Sequence, residues 1–189
     1  MIDKKQQLRK EYIAKRLAVD FEVAENFSKS VAQKLLDIIP AGAKVAGYVA
    51  IRGEIDIMPA LTELLKRCNE ICLPVVEVGD KILKFLKFSP DITLVTGKFG
   101  VLCPPANSPI INPDIVLVPL VAFDANGNRI GYGGGYYDAT IRSLRLQNKT
   151  VRIIGVAYSM QQLENIPVEE QDEQLDMVIT ENNLTICNL

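Results

Sequence analysis

The run Asp114–Phe123, DIVLVPLVAF, constrains this chain more than any other stretch. It is of strand length, and its apolar residues do not alternate with polar ones. A strand of this kind needs neighbours for its backbone groups and cover for both faces. The usual solution is an interior position in a parallel sheet with helices packed above and below.

The rest of the sequence reads consistently with that requirement. Asp3 to about Ala18 lacks Gly and Pro, and Asp3 is suited to cap a first helix. A second helix is expected over Phe21–Ile39, with Val23, Phe27, Val31, Leu35 and Ile38 on one face and Pro40-Ala-Gly42 as its stop. Lys44–Ala50 then reads as a strand and Ile57–Cys68 as a helix. Ile71–Val76 and Leu83–Phe88 read as strands, closed by Pro74 and by Ser89-Pro90. A Gly/Pro-rich connection spans Thr96–Pro109. After the apolar run come a helix over Tyr136–Gln147, a buried strand over Arg152–Tyr158 and a late strand near Met177–Thr180. No repeat or linker interrupts the 189 residues, so the expectation is one α/β domain over residues 1–189, its sheet mostly parallel.

Composition narrows the chemistry. A net charge of −2 argues against a generic nucleic-acid binder. No apolar run reaches the roughly 18 residues of a membrane span, and MIDKKQQLRKEY has no signal-like apolar core. A cytoplasmic location without membrane association is therefore expected, and Cys68, Cys72, Cys103 and Cys187, which form no C-x-x-C pair, read as reduced thiols. The chain has no histidine. That removes the commonest general base, histidine triads and histidine metal sites together. Catalysis, if present, is left to carboxylates, Lys or Arg charge and backbone N–H groups, with a hard metal ion as a further option.

Immediately after the apolar run stands Arg129-Ile-Gly-Tyr-Gly-Gly-Gly-Tyr-Tyr-Asp138, with four glycines within five residues. In open parallel sheets, ligands bind beyond the C-terminal strand ends, where strand-to-helix loops present N–H groups. Gly131, Gly133, Gly134 and Gly135 would let a phosphate approach the backbone at a helix N-terminus, with Arg129 supplying a charge-assisted contact. The alternative is a glycine-rich surface turn; the position and the flanking charges favour the cradle. The stretch is neither a P-loop nor a dinucleotide fingerprint, because it has no Gly-Lys-Ser/Thr and Tyr136 stands where a third glycine is required. Asp138 reads either as a helix-dipole partner or as a hard ligand for Mg²⁺ beside a phosphate. Asp124-Ala-Asn-Gly-Asn128 reads as a turn.

Lys5 and Arg9 share a helix face at i, i+4, which fits a solvated face or an anion held between like charges. In Gly53-Glu-Ile-Asp56, Asp56 reads as a helix cap, leaving Glu54 to project into a cleft. The acidic run Glu169–Glu173 reads as a solvated loop.

In order, these segments resemble the 5-formyltetrahydrofolate cyclo-ligase family, also called 5,10-methenyltetrahydrofolate synthetases. The resemblance rests on Lys5-Gln-Gln-Leu-Arg9, Gly53-Glu-Ile-Asp56, Phe99-Gly100, the strand Val116–Phe123, the glycine stretch, and Ile166-Pro-Val-Glu169 with Asp172, Leu175-Asp176 and Val178-Ile-Thr-Glu181. It implies a Rossmann-like three-layer fold, and ATP-dependent conversion of 5-formyltetrahydrofolate to 5,10-methenyltetrahydrofolate with release of ADP and phosphate by a monomer. Carried over by motif, Lys5, Gln6, Gln7, Leu8 and Arg9 would bind ATP, as would Arg129, Ile130, Gly131, Tyr132, Gly133, Gly134, Gly135, Tyr136 and Tyr137. Arg129 and Asp138 would act in catalysis, Asp138 and Asp172 would hold Mg²⁺, and Val49, Glu54 and Tyr136 would contact the folate. Two departures stand out: Cys103-Pro104 replaces a common Glu-Pro, and Gln171 occupies a position where His often precedes the aspartate. Outside this family, the sequence also fits a sugar-phosphate isomerase or CoA-transferase-like enzyme on the same architecture, or a non-catalytic binding module.

Overall fold

The computed structural model describes residues 4–187; Asp3, the expected cap of the first helix, lies outside them. The first helix, α1, covers Lys4–Leu17, and α2 covers Phe21–Ile38. The Asp20 carboxylate caps α2 by accepting the Glu22 N–H at 2.9 Å. The buried stripe of α2 runs through Ser28, Val31, Ala32 and Leu35, while Val23 remains 41% exposed. Strand β1 (Lys44–Ala46) leads to α3 (Met58–Lys66); its N-cap is Ile57, which makes no side-chain cap bond, rather than the expected Asp56, which stands one residue earlier and accepts the Met58 N–H at 2.9 Å. Next come β2 (Glu70–Val75), β3 (Lys84–Phe88), and the short pair β4 (Val95–Thr96) and β5 (Leu102–Cys103).

The apolar run does not form one strand. It gives β6 (Ile115–Pro119) and then β7 (Ala122–Phe123), which forms an antiparallel pair with β8 (Arg129–Ile130). The break follows from where the backbone bonds go. Pro119 has no N–H for the ladder. The Leu120 and Val121 carbonyls are taken by the Gln161 side-chain amide at 2.8 Å, and Leu120 O also accepts Arg16 Nη1 at 3.1 Å. The chain continues through α4 (Tyr136–Gln147), β9 (Arg152–Val156), β10 (Met177–Ile179) and β11 (Leu184–Ile186).

Seven strands form the main sheet in the order β11-β10-β9-β6-β1-β2-β3. The five central strands are parallel, and β11 and β3 are antiparallel at the edges. Alternation along β6 sends Ile115 and Leu117 into one apolar cluster with α2 and α3, and Val116 and Val118 into another with Ile141 of α4. The result is three layers, helix–sheet–helix, as the apolar run requires. Helix α1 lies outside this sandwich: its Tyr12 joins Val121, Ala122, Ile130 and Ile166 in a third cluster beyond the end of β6.

Pro74 sits inside β2 rather than closing it, opposite Phe85. The Phe85 carbonyl accepts the Ile111 N–H on the far side, so Pro74 and Phe85 are not a mutually hydrogen-bonded pair. The missing proline N–H therefore points away from β3 and costs that pairing nothing; on the other side β1 stays paired through the Gly47 N–H, which donates to Cys72 O at 2.9 Å.

Candidate active site

From β1 the chain crosses to β2 on one side, and later returns to place β6 on the other side of β1. That reversal opens a crevice beyond the C-terminal ends of β1 and β6, the position at which α/β sheets bind ligands. A cleft of about 710 Å³ lies there. Its walls include Tyr48–Glu54 residues after β1, Pro74–Val76 at the end of β2, the β4–β5 turn, and Arg129–Ala139. This volume suits a cofactor-sized or drug-sized ligand.

The glycine stretch forms one wall. Gly133 and Gly135 have φ of +94° and +71°, conformations that favour glycine, and Gly135 is the N-cap residue of α4. Helix α1 closes over the loop: Arg9 Nε donates to Gly131 O at 2.9 Å, and a Cβ at Gly133 would stand 3.3 Å from Arg9 Cζ. Arg129, 8% exposed, donates through Nη2 to Asp138 Oδ1 at 2.8 Å and through Nη1 to the Glu173 carbonyl. Burial lowers the Arg129 pKa, and Asp138 is the first charge opposing that shift.

A second contact brings the chain's beginning to its last third. Lys5 Nζ lies 2.6 Å from Asp172 Oδ2 and 3.1 Å from Glu169 Oε1. Its burial lowers the ammonium pKa, but hydrogen bonds to Asp172 and Glu169 outweigh that effect and raise it overall. The acidic stretch expected as a plain solvated loop thus contributes Asp172, with Glu169 and Gln171, to the cleft.

Across the cleft, Glu54 is 9% exposed. Its Oε1 accepts the Tyr132 hydroxyl at 2.5 Å and its Oε2 accepts the Ile51 N–H at 2.9 Å. Burial pushes the Glu54 carboxyl above its usual range, against the Tyr132 and Ile51 hydrogen bonds and the Arg16 and Arg52 charges. Nearby, the exposed Phe99 ring meets Tyr136 edge-on, with centroids 5.8 Å apart.

Of the residues expected to bind ligands, the cleft wall contains Lys5, Arg9, Val49, Glu54, Arg129, Ile130, the four glycines, Tyr132, Tyr136, Tyr137, Asp138 and Asp172. Gln6 and Gln7 are exposed and outside it; Leu8 packs on the third apolar cluster. Phe99, Lys98 and Arg52 line the cleft without having been assigned a role there. Arg16 was likewise missed, because a lysine- and arginine-rich helix gives no local sign of which cation is buried. Phe99 did carry a signal, an aromatic in a Gly-rich turn.

Among the described residues, no three His, Cys, Asp or Glu side chains converge as a self-sufficient metal cage. The two acidic residues nonetheless fit a hard divalent ion completed by a ligand's oxygens. Asp138 uses Oδ1 for Arg129 and the Glu173 N–H, and Asp172 uses Oδ2 for Lys5 and the Glu169 N–H. Asp138 Oδ2 and Asp172 Oδ1 accept no hydrogen bond among the described residues, so each leaves a hard oxygen donor available.

Fold and cleft define an α/β protein with a glycine loop facing a buried carboxylate at a sheet's switch point. The chain belongs to the 5-formyltetrahydrofolate cyclo-ligase family, whose sequence profile it matches over residues 1–181. It is 35% identical over 179 residues to the 5-formyltetrahydrofolate cyclo-ligase of Haemophilus influenzae, covering 91% of this chain and 95% of that one. Identity to the Escherichia coli K12 enzyme of the same name is 30% over 175 residues, covering 88% and 94%. The solved 5,10-methenyltetrahydrofolate synthetase of Aquifex aeolicus matches with a TM-score of 0.79 at 34% identity, over 96% of this chain and 92% of that chain. No helix among the described residues is long and apolar enough to cross a membrane.

Proposed function

We propose that this chain converts 5-formyltetrahydrofolate and ATP into 5,10-methenyltetrahydrofolate, ADP and phosphate. The observation that carries the reading is the convergence on one cleft of two unlike walls. One is cationic and glycine-rich (Lys5, Arg9, Arg129 and Gly131–Gly135); the other carries the enclosed Glu54 carboxylate.

The first wall suits the triphosphate. Gly131–Gly135 allow close approach of phosphate oxygens at the N-terminus of α4, and Arg129, Arg9 and Lys5 supply cationic donors. Asp138 and Asp172 would hold Mg²⁺, which supplies charge neutralisation at the transferring phosphoryl group. The second wall suits the folate. Glu54 accepts N–H donors of the pterin ring, Val49 offers apolar contact, and the Phe99–Tyr136 pair presents aromatic edges and faces to a flat heterocycle.

In the reaction so framed, the formyl oxygen attacks the γ-phosphorus and ADP departs. The N10 lone pair then attacks the activated formyl carbon. The carbon–oxygen bond breaks, phosphate carries away the former formyl oxygen, and N10 loses its proton as the imidazolinium ring forms. The residues orient two substrates and neutralise charge, and no histidine is needed. The test is the near-UV absorbance of the methenyl product. It should appear only when 5-formyltetrahydrofolate, ATP and Mg²⁺ are all supplied; folded protein that never produces it would overturn the reading.

A further inference from the structure

One buried cation near the cleft has no part in the reading above. Arg16, in the last turn of α1, is 2% exposed. Its guanidinium donates to Arg52 O at 2.9 Å, to Leu120 O at 3.1 Å and to the Tyr132 hydroxyl at 2.5 Å. Those three acceptors belong to the loop after β1, the end of β6 and the glycine loop. Arg16 therefore joins the three segments that border the switch point.

The chemistry of the arginine fixes the direction of the chain of bonds. A guanidinium only donates, so Tyr132 Oη must accept from Arg16. The single tyrosine proton is then directed to the other neighbour, Glu54 Oε1. Glu54 Oε2 meanwhile accepts the Ile51 N–H. Both carboxylate oxygens are thus presented with donors, an arrangement that favours the ionised acid. The same tyrosine belongs to the phosphate loop by its backbone, between Gly131 and Gly133.

We propose that Tyr132, oriented by Arg16, is a positioning residue that holds Glu54 as an aimed acceptor and couples the folate subsite to the ATP phosphate loop. The inference rests on the assignment of those two subsites made above. A folate drawing on Glu54 and a triphosphate ordering residues 131–135 act on the two ends of one side chain, so each ligand stabilises the arrangement the other requires. Such coupling is reciprocal.

The groups facing Glu54 set the expected pH behaviour. Arg16 comes from α1, Arg52 from its own loop, Tyr132 from the glycine loop, Tyr48 from the end of β1, Tyr137 from α4 and Tyr158 from beyond β9. Burial raises the Glu54 pKa, and the Tyr132 bond is the largest effect that lowers it. Removing the hydroxyl must therefore move ionisation of Glu54 to higher pH.

The experiment measures 5-formyltetrahydrofolate binding to the full chain by calorimetry across pH, with and without β,γ-imido-ATP and Mg²⁺. In the wild type, the ATP analogue should tighten folate binding by about fivefold or more. Tyr132→Phe should weaken folate binding about tenfold or more, shift the acid limb of binding to higher pH and bring the enhancement by the analogue towards one. Glu54→Gln should remove the Glu54 part of the acid limb, leaving only what the ligand itself titrates. Arg16→Lys, which cannot reproduce the guanidinium fork, should shift the limb in the same direction as Tyr132→Phe; if it fails to fold, Tyr132→Phe alone decides. An acid limb and an enhancement in Tyr132→Phe that match wild type would overturn the inference. Wild-type protein that binds neither ligand would instead overturn the assignment on which it rests.

Discussion

Replacing Asp138 with asparagine keeps the side-chain shape and removes its charge. In the wild type, Oδ1 accepts Arg129 Nη2 at 2.8 Å and the Glu173 N–H at 3.2 Å. Two donors on one side require the amide oxygen there, which forces the NH₂ group into the place of Oδ2. Structurally, a charge-assisted bond becomes a neutral one while the buried Arg129 retains an acceptor. That change costs about 1–1.5 kcal/mol, or roughly 2–6 °C in Tm for a chain of this size. Functionally, an anionic oxygen donor becomes an NH₂ group facing a cation. Turnover should therefore fall by about 100-fold or more, equivalent to about 2.7 kcal/mol, with a raised Mg²⁺ requirement. Folate binding should change by less than about threefold, since Glu54 lies on the other wall. The assays are a thermal melt, calorimetric folate binding, and methenyl absorbance during a Mg²⁺ titration. Equal loss of turnover and folate affinity, or an unchanged Mg²⁺ requirement, would refute the ligand role and leave Asp138 as a partner of Arg129.

Other substitutions address the remaining parts of the site. Lys5→Ala should raise the KM for ATP about tenfold with the thermal transition retained, because it removes the cation between Asp172 and Glu169; an unchanged KM would remove Lys5 from the nucleotide subsite. Nothing stands within 4 Å of a Cβ built at Gly131, so Gly131→Ala should leave the Tm within about 2 °C yet weaken ATP binding if phosphate approaches the backbone there. Gly133→Ala should instead lower stability by about 1–2 kcal/mol, read by denaturant unfolding, because its φ is +94° and Arg9 packs over it. Chelation with EDTA should abolish turnover, and Mg²⁺ should restore it in full; activity that survives chelation would argue against a carboxylate-held ion.

The elements most legible in the sequence were those whose cause is local. Helix periodicity from Phe27 onward, Gly42 after α2 and the Tyr136 start of α4 follow from backbone propensity within a few residues. Errors came where a distant partner decides. DIVLVPLVAF reads as a single strand, but Arg16 and Gln161 capture the Leu120 and Val121 carbonyls and turn the chain into β7. Pro74 reads as a strand end, but its missing N–H points away from β3, so the β2–β3 pairing runs through it. β11 carried too little apolar pattern to be recognised, since it lies at an edge with Leu184 and Ile186 exposed.

By itself, the sequence determined a covered, mostly parallel sheet, a glycine loop beyond its most apolar strand, and a chemistry without histidine. These properties depend on residue type and short spacing, which folding does not alter. Only the tertiary structure decided that Lys5 meets Asp172 across 167 positions, that Arg9 closes on Gly131, and that Arg16 is buried along with Lys5 among the cations of α1. It also decided that Tyr132 turns from the glycine loop to Glu54, 78 positions away. Contacts at such separations depend on strand order and on where the chain reverses across the sheet. No local pattern records that information.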